Sequence, residues 1–544
     1  MTESVEPPPA ARFARMEHYL RHHAATRGEA PALLFYGAVL SYAETWRRAA
    51  ALARHLATAA GIRPGDRVAI ALQNSPHLIV AFQGVLAAGA VVVPLNPMYR
   101  EAEMAAILED SGARLAIVGA ELIGRFPAHL PLIAAVYADA LPARPLGPLP
   151  PVLAEPAAVP AEARITAFAA AIAGEGSRSG GQHDAREGGV MPYTSGSTGR
   201  PKGCPHEHAA VVHTAETQAR WYRLDGDSVV TAVQPLFHVA GMQGSMHAGL
   251  VAGAALLVMT RWDAAAALRL FAWAGVTFWN APPTMVIDLL ARPDFDPAAF
   301  ARLRVITGGG SAMPGAVAAE LATRFGLTYV EGYGLSETMS PTHLNPLDRP
   351  RAGSIGVPID GTTALIVDPD TLLPCADGEV GEIMVAGPQV IARYFSNPRA
   401  DAEGFATLAG RRLLRTGDLG RRDADGYFYV VDRLKRMINA SGFKVWPSEV
   451  EEVLHRHPAV RLACVVGAPD PYRGETVQAY LVLKDGAAAD PEGIVAFCRT
   501  HLAAYKVPRR VAFAECLPIG PSNKVDWRAL SFRAQVEAGV MRDR

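Results

Sequence analysis

The sequence predicts an α/β protein with a large N-terminal domain of doubly wound sheets, a small β-rich subdomain and a small α+β C-terminal domain. The chain has 544 residues, more than one hydrophobic core normally organises. Short apolar runs at residues 67–71 and 90–95 flank an apolar helical stretch, a spacing typical of parallel βαβ units. Past Gly361 the pattern changes to short strands between turns, and after Asp432 to alternating helices and strands.

The change after Asp432 places the predicted domain boundary there. We expect an N-terminal domain over residues 1–432 and a C-terminal domain over residues 433–544. Residues 11–60 are expected to be largely helical, with Ser41 opening a helix through a Ser-x-x-Glu capping box.

Two long uncharged runs, residues 78–95 and 228–260, raise the question of a membrane segment. The first is interrupted by glycine and proline, and the second carries glutamines and histidines, which suit a lipid-facing helix poorly. Both are therefore predicted to be buried core, and no transmembrane segment is expected.

Composition and charge narrow the class of protein. Hydrophobic residues make up 50% and charged residues 19%, which is typical of a globular chain. The net charge is −1 without a basic cluster, so no nucleic-acid partner is expected. The N-terminus lacks the charge order of a signal peptide. Scattered cysteines without C-x-x-C spacing favour reduced thiols and a cytoplasmic protein; they are Cys204, Cys375, Cys464, Cys498 and Cys516. A homodimer is left open.

A loop rich in glycine and hydroxyl side chains surrounds Lys202. Residues 191–203 have the sequence Met-Pro-Tyr-Thr-Ser-Gly-Ser-Thr-Gly-Arg-Pro-Lys-Gly. Glycine lets backbone N–H groups converge on an anion, and short hydroxyls add donors, so the pattern predicts a phosphate-binding loop. It is not a Walker A loop, because the lysine lies between proline and glycine. A Ser/Gly-rich surface linker is the alternative on composition alone. The predicted nucleotide-binding residues here are Thr194, Ser195, Gly196, Ser197, Thr198 and Gly199.

The segment that follows, Cys204-Pro-His206-Glu-His208, allows a second interpretation as a metal cluster. We disfavour it because no second group of ligands has zinc spacing.

A second block of chemical interest is Tyr333-Gly-Leu-Ser-Glu337. Glu337 is a hard oxygen ligand of the kind that suits Mg²⁺ beside substrate phosphates. Ser336 can donate to a phosphate oxygen, and Tyr333 offers a flat face for a purine. Taken alone, such a segment is an ordinary turn.

These blocks together resemble the adenylate-forming superfamily, which includes acyl-CoA synthetases, luciferases and the adenylation domains of peptide synthetases. The loop at 193–203 resembles the phosphate-loop signature, and residues 333–337 resemble its Tyr-Gly-x-Thr-Glu block with Ser336 in place of threonine. Arg415-Thr-Gly-Asp-Leu419 matches its Thr-Gly-Asp block. The resemblance spans about residues 30–530 and is closest to the acyl-CoA synthetase or fatty-acid–CoA ligase branch.

The resemblance implies roles for individual residues. Lys202 and Lys524 would supply positive charge in adenylation, His238 would orient the carboxylate, and Glu337 would hold Mg²⁺ with Ser336 beside it. Further residues implied to contact ATP or AMP are Gly310, Ser311, Ala312, Glu331, Gly332, Tyr333, Asp418 and Arg433. Lys435 would be the hinge of a mobile C-terminal domain, and Gly442 would line the CoA tunnel. Ala240, Gly244 and Trp279 would border the acyl pocket.

Three positions depart from the family pattern. Asn523 replaces a glycine before Lys524, and Ala386 and Arg393 stand where arginine and glycine are more usual. Asparagine tolerates left-handed backbone angles, so a turn at Asn523 is still feasible.

The function that the resemblance implies is an ATP-dependent, AMP-forming acid–CoA ligase. Its partners would be ATP, Mg²⁺, CoA and a small-molecule carboxylic acid, for which we expect an apolar medium-chain or long-chain fatty acid. An aryl-acid–CoA ligase and a stand-alone enzyme that loads a carrier protein in trans are alternatives. A non-catalytic nucleotide-binding scaffold is the alternative from another class, and joint retention of Lys202, Glu337, Asp418 and Lys524 disfavours it.

Overall fold

The computed structural model describes residues 8–174, 188–194, 201–309, 313–440, 443–471, 474–518 and 525–539. The chain divides into two compact units. Unit 1 comprises Met1–Ala364 and Val385–Leu414, and unit 2 comprises Leu365–Met384 and Arg415–Arg544. The expected boundary at 432 stays a prediction.

The helices and strands follow one another along the chain in three stretches. The first contains α1 (Glu17–Thr26), β1 (Pro31–Phe35), β2 (Ala38–Ser41), α2 (Tyr42–Thr58), β3 (Arg67–Ala71), α3 (Pro76–Ala87), β4 (Val91–Pro94), α4 (Glu101–Ser111), β5 (Leu115–Gly119), β6 (Leu132–Ala135), α5 (Pro151–Ala154), β7 (Ile165–Ala167) and α6 (Phe168–Ala171). The second contains β8 (Gly189–Val190), β9 (Tyr193–Thr194), β10 (Lys202–Gly203), α7 (His208–Trp221), β11 (Val229–Ala232), α8 (Val239–Gly241), α9 (Ala248–Ala252), β12 (Ala255–Val258), α10 (Ala264–Ala274), β13 (Phe278–Asn280), α11 (Pro283–Leu290), β14 (Val305–Gly308), α12 (Gly315–Phe325), β15 (Tyr329–Leu335), β16 (Ser340–Leu344) and β17 (Val357–Pro358). The third contains β18 (Thr363–Val367), β19 (Gly381–Ala386), α13 (Pro398–Gly404), β20 (Phe405–Leu408), β21 (Arg411–Arg422), β22 (Phe428–Arg433), β23 (Ile438–Ala440), β24 (Phe443–Val445), α14 (Pro447–Arg456), β25 (Val460–Asp470), β26 (Gly474–Leu483), α15 (Pro491–His501), β27 (Arg510–Phe513) and α16 (Trp527–Glu537).

Two sheets form the centre of unit 1. The first sheet has the strand order β17-β16-β15-β14-β13-β11-β12-β1-β2 and is parallel from β15 through β1. The second sheet has the order β7-β6-β5-β3-β4-β8 and is parallel throughout. Parallel sheets need helical cover on both faces, and helices separate most of these strands. The predicted doubly wound α/β class is therefore confirmed.

The first uncharged run forms a helix and a strand of the core, as its composition predicts. Every residue of α3 is buried, and β4 follows it directly. The helix begins after Ser75, whose hydroxyl accepts from the N–H of Leu78, and Pro76 occupies its first turn. The second run likewise supplies β11, α8, α9 and β12. Among the described residues, no helix is long and apolar enough to cross a membrane.

The expectation for residues 11–60 is only partly correct. Ser41 does cap α2, since its hydroxyl accepts from the N–H of Glu44 at 3.3 Å. However, β1 and β2 interrupt the helical stretch and form an edge of the first sheet. The partner of β1 is β12, with Leu33 opposite Leu256, and a contact so distant in sequence leaves no local pattern to detect.

Unit 2 contains a sheet in the order β24-β23-β26-β25, with β27 parallel to β26. Neighbouring residues of β25 and β26 face opposite sides of this sheet. Val465 and Leu481 share one apolar cluster with residues of α14 and α15, whereas Cys464 and Tyr480 share another with α16. This is the predicted compact α+β arrangement. In the same unit, the second half of β21 pairs with β22.

Candidate active site

The predicted phosphate loop begins and ends in a short β-hairpin. Strands β9 and β10 are antiparallel, with Lys202 opposite Thr194 and Gly203 opposite Tyr193. The hydroxyl of Tyr193 donates to Asp110 Oδ2 at 2.6 Å, which ties the first strand to α4. Residues 195–200 of the loop lie outside the described residues, so the structure locates the base of the loop and its lysine.

Tyr394 connects the lysine of this hairpin with the carboxylate predicted to hold a metal ion. Lys202 Nζ lies 5.0 Å from the centre of the Tyr394 ring, within the range of a cation–π contact. The phenolic hydroxyl donates to Glu337 Oε1 at 3.0 Å. Burial, and then the Glu337 charge, raise the pKa of Tyr394, so the phenol keeps its proton and remains a donor. Lys202, Tyr394 and Glu337 therefore form one connected group.

The backbone on either side of Glu337 is held by hydrogen bonds from distant segments. Residues Ser336–Thr338 form a 3₁₀ turn. Ile391 N–H donates to Glu337 O at 2.9 Å, and His206 Nε2 lies 2.7 Å from Ser336 O. Burial lowers the pKa of His206 to about 4, so its ring is neutral and donates this bond. His206 is thus a positioning residue of the turn.

The alternative metal cluster at Cys204-Pro-His206-Glu-His208 finds no support in the geometry. His206 is committed to the Ser336 carbonyl, and the thiol of Cys204 lies 3.8 Å from the carbonyl of Lys202. Within the described ranges, histidine, cysteine and carboxylate side chains form no group of three that could hold a metal ion.

The turn between β15 and β16 contains strained backbone beside Glu337. Met339 and Ser340 have φ values of 46° and 78°, in the left-handed region. A Cβ at Gly334 would lie 1.7 Å from Ser340 O, so only glycine allows the two strands to approach this closely. Such strain commonly accompanies functional sites, because the fold must hold the local backbone in place.

The residues predicted to frame the nucleotide base lie at the carboxyl ends of β14 and in β15. Gly308 pairs with Glu331, whose carboxylate Oε1 accepts from Met313 N–H at 3.1 Å. Burial raises the pKa of this carboxyl group. The ring of Tyr333 is half-buried, with its centre 5.9 Å from that of His343, and Gly332 precedes it in the same strand. Gly310, Ser311 and Ala312 lie outside the described residues.

His238 begins α8 and lies at the exposed carboxyl-end edge of the first sheet. Its Nδ1 accepts from Ala240 N–H at 3.3 Å, so in the neutral ring Nε2 carries the hydrogen. This tautomer is assigned from the hydrogen bond, and it makes Nε2 a hydrogen-bond donor.

Asn74, which belongs to no motif in the sequence, holds the segment that leads to His238. Its side-chain amide lies 2.8 Å from the carbonyl of Gln234 and 3.2 Å from the carbonyls of Ala232 and Val233. Its Oδ1 accepts from Leu236 N–H at 2.9 Å. Asn74 follows β3 of the second sheet, so it joins the ends of the two sheets beside the histidine.

Of the three residues expected at the acyl pocket, Ala240 and Gly244 lie beside Asn280, whereas Trp279 lies apart from them. Gly244 belongs to a π-helical segment, Met242–His247, and Ala240 precedes that segment. A Cβ at Gly244 would lie 2.6 Å from Asn280 Nδ2, so Asn280 is the neighbour of this glycine. Trp279 precedes Asn280 in β13 and packs on the other face, against Trp262, Phe271 and Phe300.

Unit 2 brings two predicted nucleotide-binding residues together. Asp418 and Arg433 are opposite each other in β21 and β22, and Arg433 Nε lies 2.6 Å from Asp418 Oδ1. Glu382 braces the turn before Asp418, because it accepts from Arg415 Nη2 at 2.7 Å and from Gly417 N–H at 3.0 Å. The buried Asp418 carboxylate therefore follows a turn that Glu382 holds in place through Arg415 and Gly417.

The predicted hinge residue Lys435 is exposed and lies in a 3₁₀ turn, Leu434–Arg436, within unit 2. The residues before it are tied to α14, because Ser448 N–H donates to Asp432 Oδ2 at 2.8 Å and Ser448 Oγ donates to Val431 O at 2.6 Å. Gly442 and Lys524 lie outside the described residues.

A separate cavity of about 340 Å³ lies at the carboxyl ends of β3, β4 and β5. Its walls are mostly apolar, and they include Pro97, Met98, Leu122, Pro151 and Val152. Its polar groups are Gln73, Glu121, Arg125 and Arg261. Gln73 is 7% exposed. Burial raises the pKa of Glu121.

Comparison with known proteins shows similarity along almost the whole chain. A family model described as AMP-binding enzyme matches residues 20–395, and one described as AMP-binding enzyme C-terminal domain matches residues 449–524. A long-chain-fatty-acid–CoA ligase of Bacillus subtilis (strain 168) is 34% identical, over 95% of this chain and 94% of that protein. A feruloyl-CoA synthase of Amycolatopsis sp is 35% identical, over 90% and 93%. The crystal structure of ATP-bound MatB from Rhodopseudomonas palustris superposes with a TM-score of 0.83 at 25% identity, covering 95% of this chain and 99% of that chain.

Proposed function

We infer the function from one premise: this chain belongs to the AMP-binding enzyme family. It is an ATP-dependent, AMP-forming acid–CoA ligase of the acyl-CoA synthetase branch of the adenylate-forming superfamily. In the reaction, a carboxylate oxygen attacks the α-phosphorus of ATP and pyrophosphate leaves, which gives an acyl-adenylate. The CoA sulfur then attacks the acyl carbon, AMP leaves with the electron pair, and the thiol proton passes to solvent or a base.

The observation that carries the residue assignment is the group formed by Lys202, Tyr394 and Glu337. The first half-reaction brings an anionic acid against a polyanionic phosphate, so the site needs fixed positive charge and a metal ion. Lys202 supplies a charge at the base of the phosphate loop, beside the Tyr394 ring. The Glu337 carboxylate, held in place by Tyr394 and by its backbone bonds, has the oxygen ligands that Mg²⁺ prefers. A bound Mg²⁺ would neutralise phosphate charge there.

His238 is proposed to orient the acid. Because Nδ1 accepts from Ala240 N–H, the hydrogen of the neutral ring is on Nε2, which would donate to a carboxylate oxygen of the acid. Asn74 would act through His238, since it fixes the carbonyls and the N–H of the segment before it. His238 would touch the substrate, and Asn74 would be a positioning residue.

We propose that the acid has a single carboxylate. No charged residue occurs from Ser228 to Thr260, which supports a monocarboxylic acid with a neutral body. We retain the medium-chain or long-chain fatty acid, with an aryl acid as the alternative. The two relatives described above have almost the same identity to this chain, yet one is a fatty-acid ligase and the other a feruloyl-CoA synthase. Overall identity therefore does not decide between the two classes.

The cavity on the second sheet is proposed to receive the phosphates of CoA. Strand β8, which leads to the phosphate loop, is parallel to β4. The phosphate loop and the cavity are therefore both at the carboxyl-end edge of the second sheet. From β3 to β8 is two strand spacings, or about 10 Å. The chain also reverses direction across this sheet between β3 and β5, the position where open α/β sheets bind ligands. Arg125 and Arg261 supply the charge that a phosphate requires.

The remaining assignments in unit 2 follow from the family. Asp418 would accept from the ribose hydroxyls, with Arg433 beside it, and Lys435 would be the hinge. Gly442 would line the CoA tunnel, and Lys524 would bridge the carboxylate and the α-phosphate. Unit 2 would then change position between the two half-reactions. The cytoplasmic location stays a prediction.

The test is an acid panel with three readouts. Fatty acids of increasing length and aryl acids are each supplied with ATP and Mg²⁺, and ATP–pyrophosphate exchange is measured. AMP release is then measured with CoA and, separately, with a carrier protein in place of CoA. Acid-dependent exchange with CoA-dependent AMP release is the expected result. Absence of exchange with every acid would contradict the proposal, and AMP release with a carrier alone would favour the carrier-loading alternative.

A further inference from the structure

A set of buried amide side chains lies where the fatty-acid hypothesis expects an apolar wall. Gln218 of α7 is 4% exposed and Asn280 of β13 is 6% exposed. Gln234, at the end of β11, donates from Nε2 to Asn280 Oδ1 at 2.9 Å. Burying amides is unfavourable unless they are hydrogen-bonded, so an enzyme for a plain hydrocarbon chain gains nothing from this arrangement.

Two of these amides converge on Gly244. A Cβ at this position would lie 2.6 Å from Asn280 Nδ2 and 3.1 Å from Gln218 Oε1. A side chain larger than hydrogen would therefore displace both amides. Gly244 leaves a donor and an acceptor facing the same small region, beside the segment that carries His238.

The Asn280 donor and the Gln218 amide lack hydrogen bonds of good length. Asn280 Nδ2 lies 3.3 Å from Ala240 O and 3.4 Å from Ser245 Oγ, which are long bonds. Gln218 Nε2 lies 3.3 Å from Thr214 O, and within the described residues Gln218 Oε1 has no hydrogen-bond partner. A ligand group that both donates and accepts would pair with Gln218 Oε1 and with Asn280 Nδ2.

We propose that the acid activated by this enzyme carries a hydroxyl group on its acyl body, and that Gln218 and Asn280 bind this hydroxyl. The inference rests on the proposed acid–CoA ligase function. A hydroxyl group both donates and accepts, whereas a keto oxygen only accepts and would leave Gln218 Oε1 unpaired. A charged ammonium group would find no carboxylate partner in residues 228–260, the segment that carries His238 and Gly244. The substrate class is therefore a hydroxylated monocarboxylic acid, with a fatty or aryl body.

The consequence is a strong preference between otherwise identical acids. A site built to hydrogen-bond a substrate hydroxyl rejects the analogue without it by roughly 10⁴-fold to 10⁵-fold in the best cases. Because these amides also bond weakly to the protein, we expect a smaller preference of about 100-fold for the correctly placed hydroxyl.

The experiment uses pairs of acids that differ by one hydroxyl, placed at successive carbons of straight-chain acids and on the rings of aryl acids. kcat/KM is measured from AMP release for the wild type, Gln218→Met and Gln218→Glu. Methionine keeps the length of the side chain without an acceptor, and glutamate, which burial would keep protonated, retains both an acceptor and a donor for Thr214 O. Gln83→Met is the matched control, since Gln83 is buried in α3 and its amide has no hydrogen-bond partner among the described residues.

For the wild type and Gln83→Met, we expect kcat/KM to be about 100-fold higher for one hydroxylated acid than for its partner without the hydroxyl. In Gln218→Met this ratio should fall at least tenfold. In Gln218→Glu it should be retained. The KM for ATP should stay constant in all four proteins. Equal use of both members of every pair by the wild type would overturn the inference, as would a preference unchanged in Gln218→Met. Failure of the ligase proposal would look different, because no acid of either kind would then support exchange or AMP release.

Discussion

The phenolic hydroxyl of Tyr394 donates a hydrogen bond to Glu337 Oε1 at 3.0 Å, across 57 positions of the chain. The same ring lies 5.0 Å from Lys202 Nζ. One side chain therefore positions the expected metal-binding carboxylate and contacts the expected phosphate-binding cation. This arrangement separates the two functions of the tyrosine, since phenylalanine would keep the ring and remove the hydroxyl.

Tyr394→Phe should slow acid-dependent pyrophosphate exchange by about tenfold to 100-fold, because a hydrogen bond to a charged group contributes about 1.5–3 kcal/mol. We also expect a higher Mg²⁺ concentration at half-maximal rate, since Glu337 loses its fixed orientation. The measurement is exchange rate against Mg²⁺ concentration. Tyr429→Phe is the control, because it removes a tyrosine bond to Asp423 in unit 2. An unchanged Mg²⁺ profile in Tyr394→Phe would show that this bond does not position the carboxylate.

Asn74 offers a test of positioning without contact with the substrate. Asn74→Ala leaves the N–H of Leu236 without its acceptor and three carbonyls without their donor, so we expect a loss of about 2 kcal/mol or more in unfolding free energy. Asn74→Asp should be at least as damaging although its shape is unchanged, because a carboxylate would face those carbonyl oxygens. Urea unfolding measures the first effect.

Steady-state kinetics of the same variants provide the second readout. The KM for the acid should rise while the KM for ATP stays constant, because the segment before His238 moves and the phosphate loop does not. If Asn74→Asp matches the wild type in both measurements, the amide donors of Asn74 contribute nothing to this segment.

Much of the fold and part of the site could be predicted from the sequence. The features that could be predicted depend on residues close together in the chain, and those that could not depend on residues far apart. The β3–α3–β4 unit depends on neighbouring residues, so local patterns predict it, whereas the turn at Glu337 is held by Ile391 and His206 from distant segments. Tyr394, Asn74 and Asn280 have their roles through partners far along the chain; the Asn74 bond to Leu236 spans 162 positions. No local pattern distinguishes such residues from ordinary polar core residues. Trp279 illustrates the converse, since alternation along β13 directs it away from Gly244.

His206 should make the folded protein sensitive to mild acid. Burial lowers its pKa from 6.5 to about 4, so between these values the unfolded chain binds a proton that the folded chain does not. The free energy of unfolding is therefore highest above pH 6.5 and falls as the pH decreases towards 4, by up to about 1.4 kcal/mol per pH unit for this one group. His206→Gln keeps a donor for Ser336 O and removes the titration.

The measurement is urea unfolding at several values between pH 7 and pH 4.5. His206→Gln should reduce the slope of unfolding free energy against pH by up to one proton. Burial also lowers the pKa of other histidines, including His77, so part of the slope should remain in every variant. Identical slopes in the wild type and in His206→Gln would refute the assignment.

Asp418 tests the proposed ribose contact in unit 2. Asp418→Asn keeps the shape of the side chain and weakens the acceptor, so the KM for ATP should rise about tenfold or more. Stability should change little, because the paired Arg433 is 59% exposed and remains solvated. Asp377→Asn, which breaks an exposed pair with Arg422 in the same unit, is the matched control and should leave the KM for ATP unchanged. A KM for ATP within error of the wild type in Asp418→Asn would rule out the ribose contact.

A substitution in the cavity on the second sheet tests whether that cavity affects the binding of CoA without affecting the binding of ATP and the acid. Arg125 donates to the carbonyls of Pro97 and Tyr99, so its removal would also loosen that turn. Arg261 is the cleaner choice, because its guanidinium lies 3.1 Å from Met98 Sδ and leaves no buried partner behind. If it binds a phosphate of CoA, Arg261→Ala should raise the KM for CoA about tenfold, since a hydrogen bond to a charged group contributes about 1.5–3 kcal/mol. Pyrophosphate exchange, which needs no CoA, should be unaffected.

Pantetheine, which has the thiol but no phosphates, provides the decisive comparison. The wild type should prefer CoA to pantetheine, Arg261→Ala should lose about tenfold of that preference, and the KM for pantetheine should be the same in both. Arg269→Ala, at an exposed position of α10, controls for a general loss of positive charge and should behave as the wild type. Should Arg261→Ala retain the full preference for CoA, Arg261 does not bind the phosphates and the proposed CoA site in this cavity is wrong.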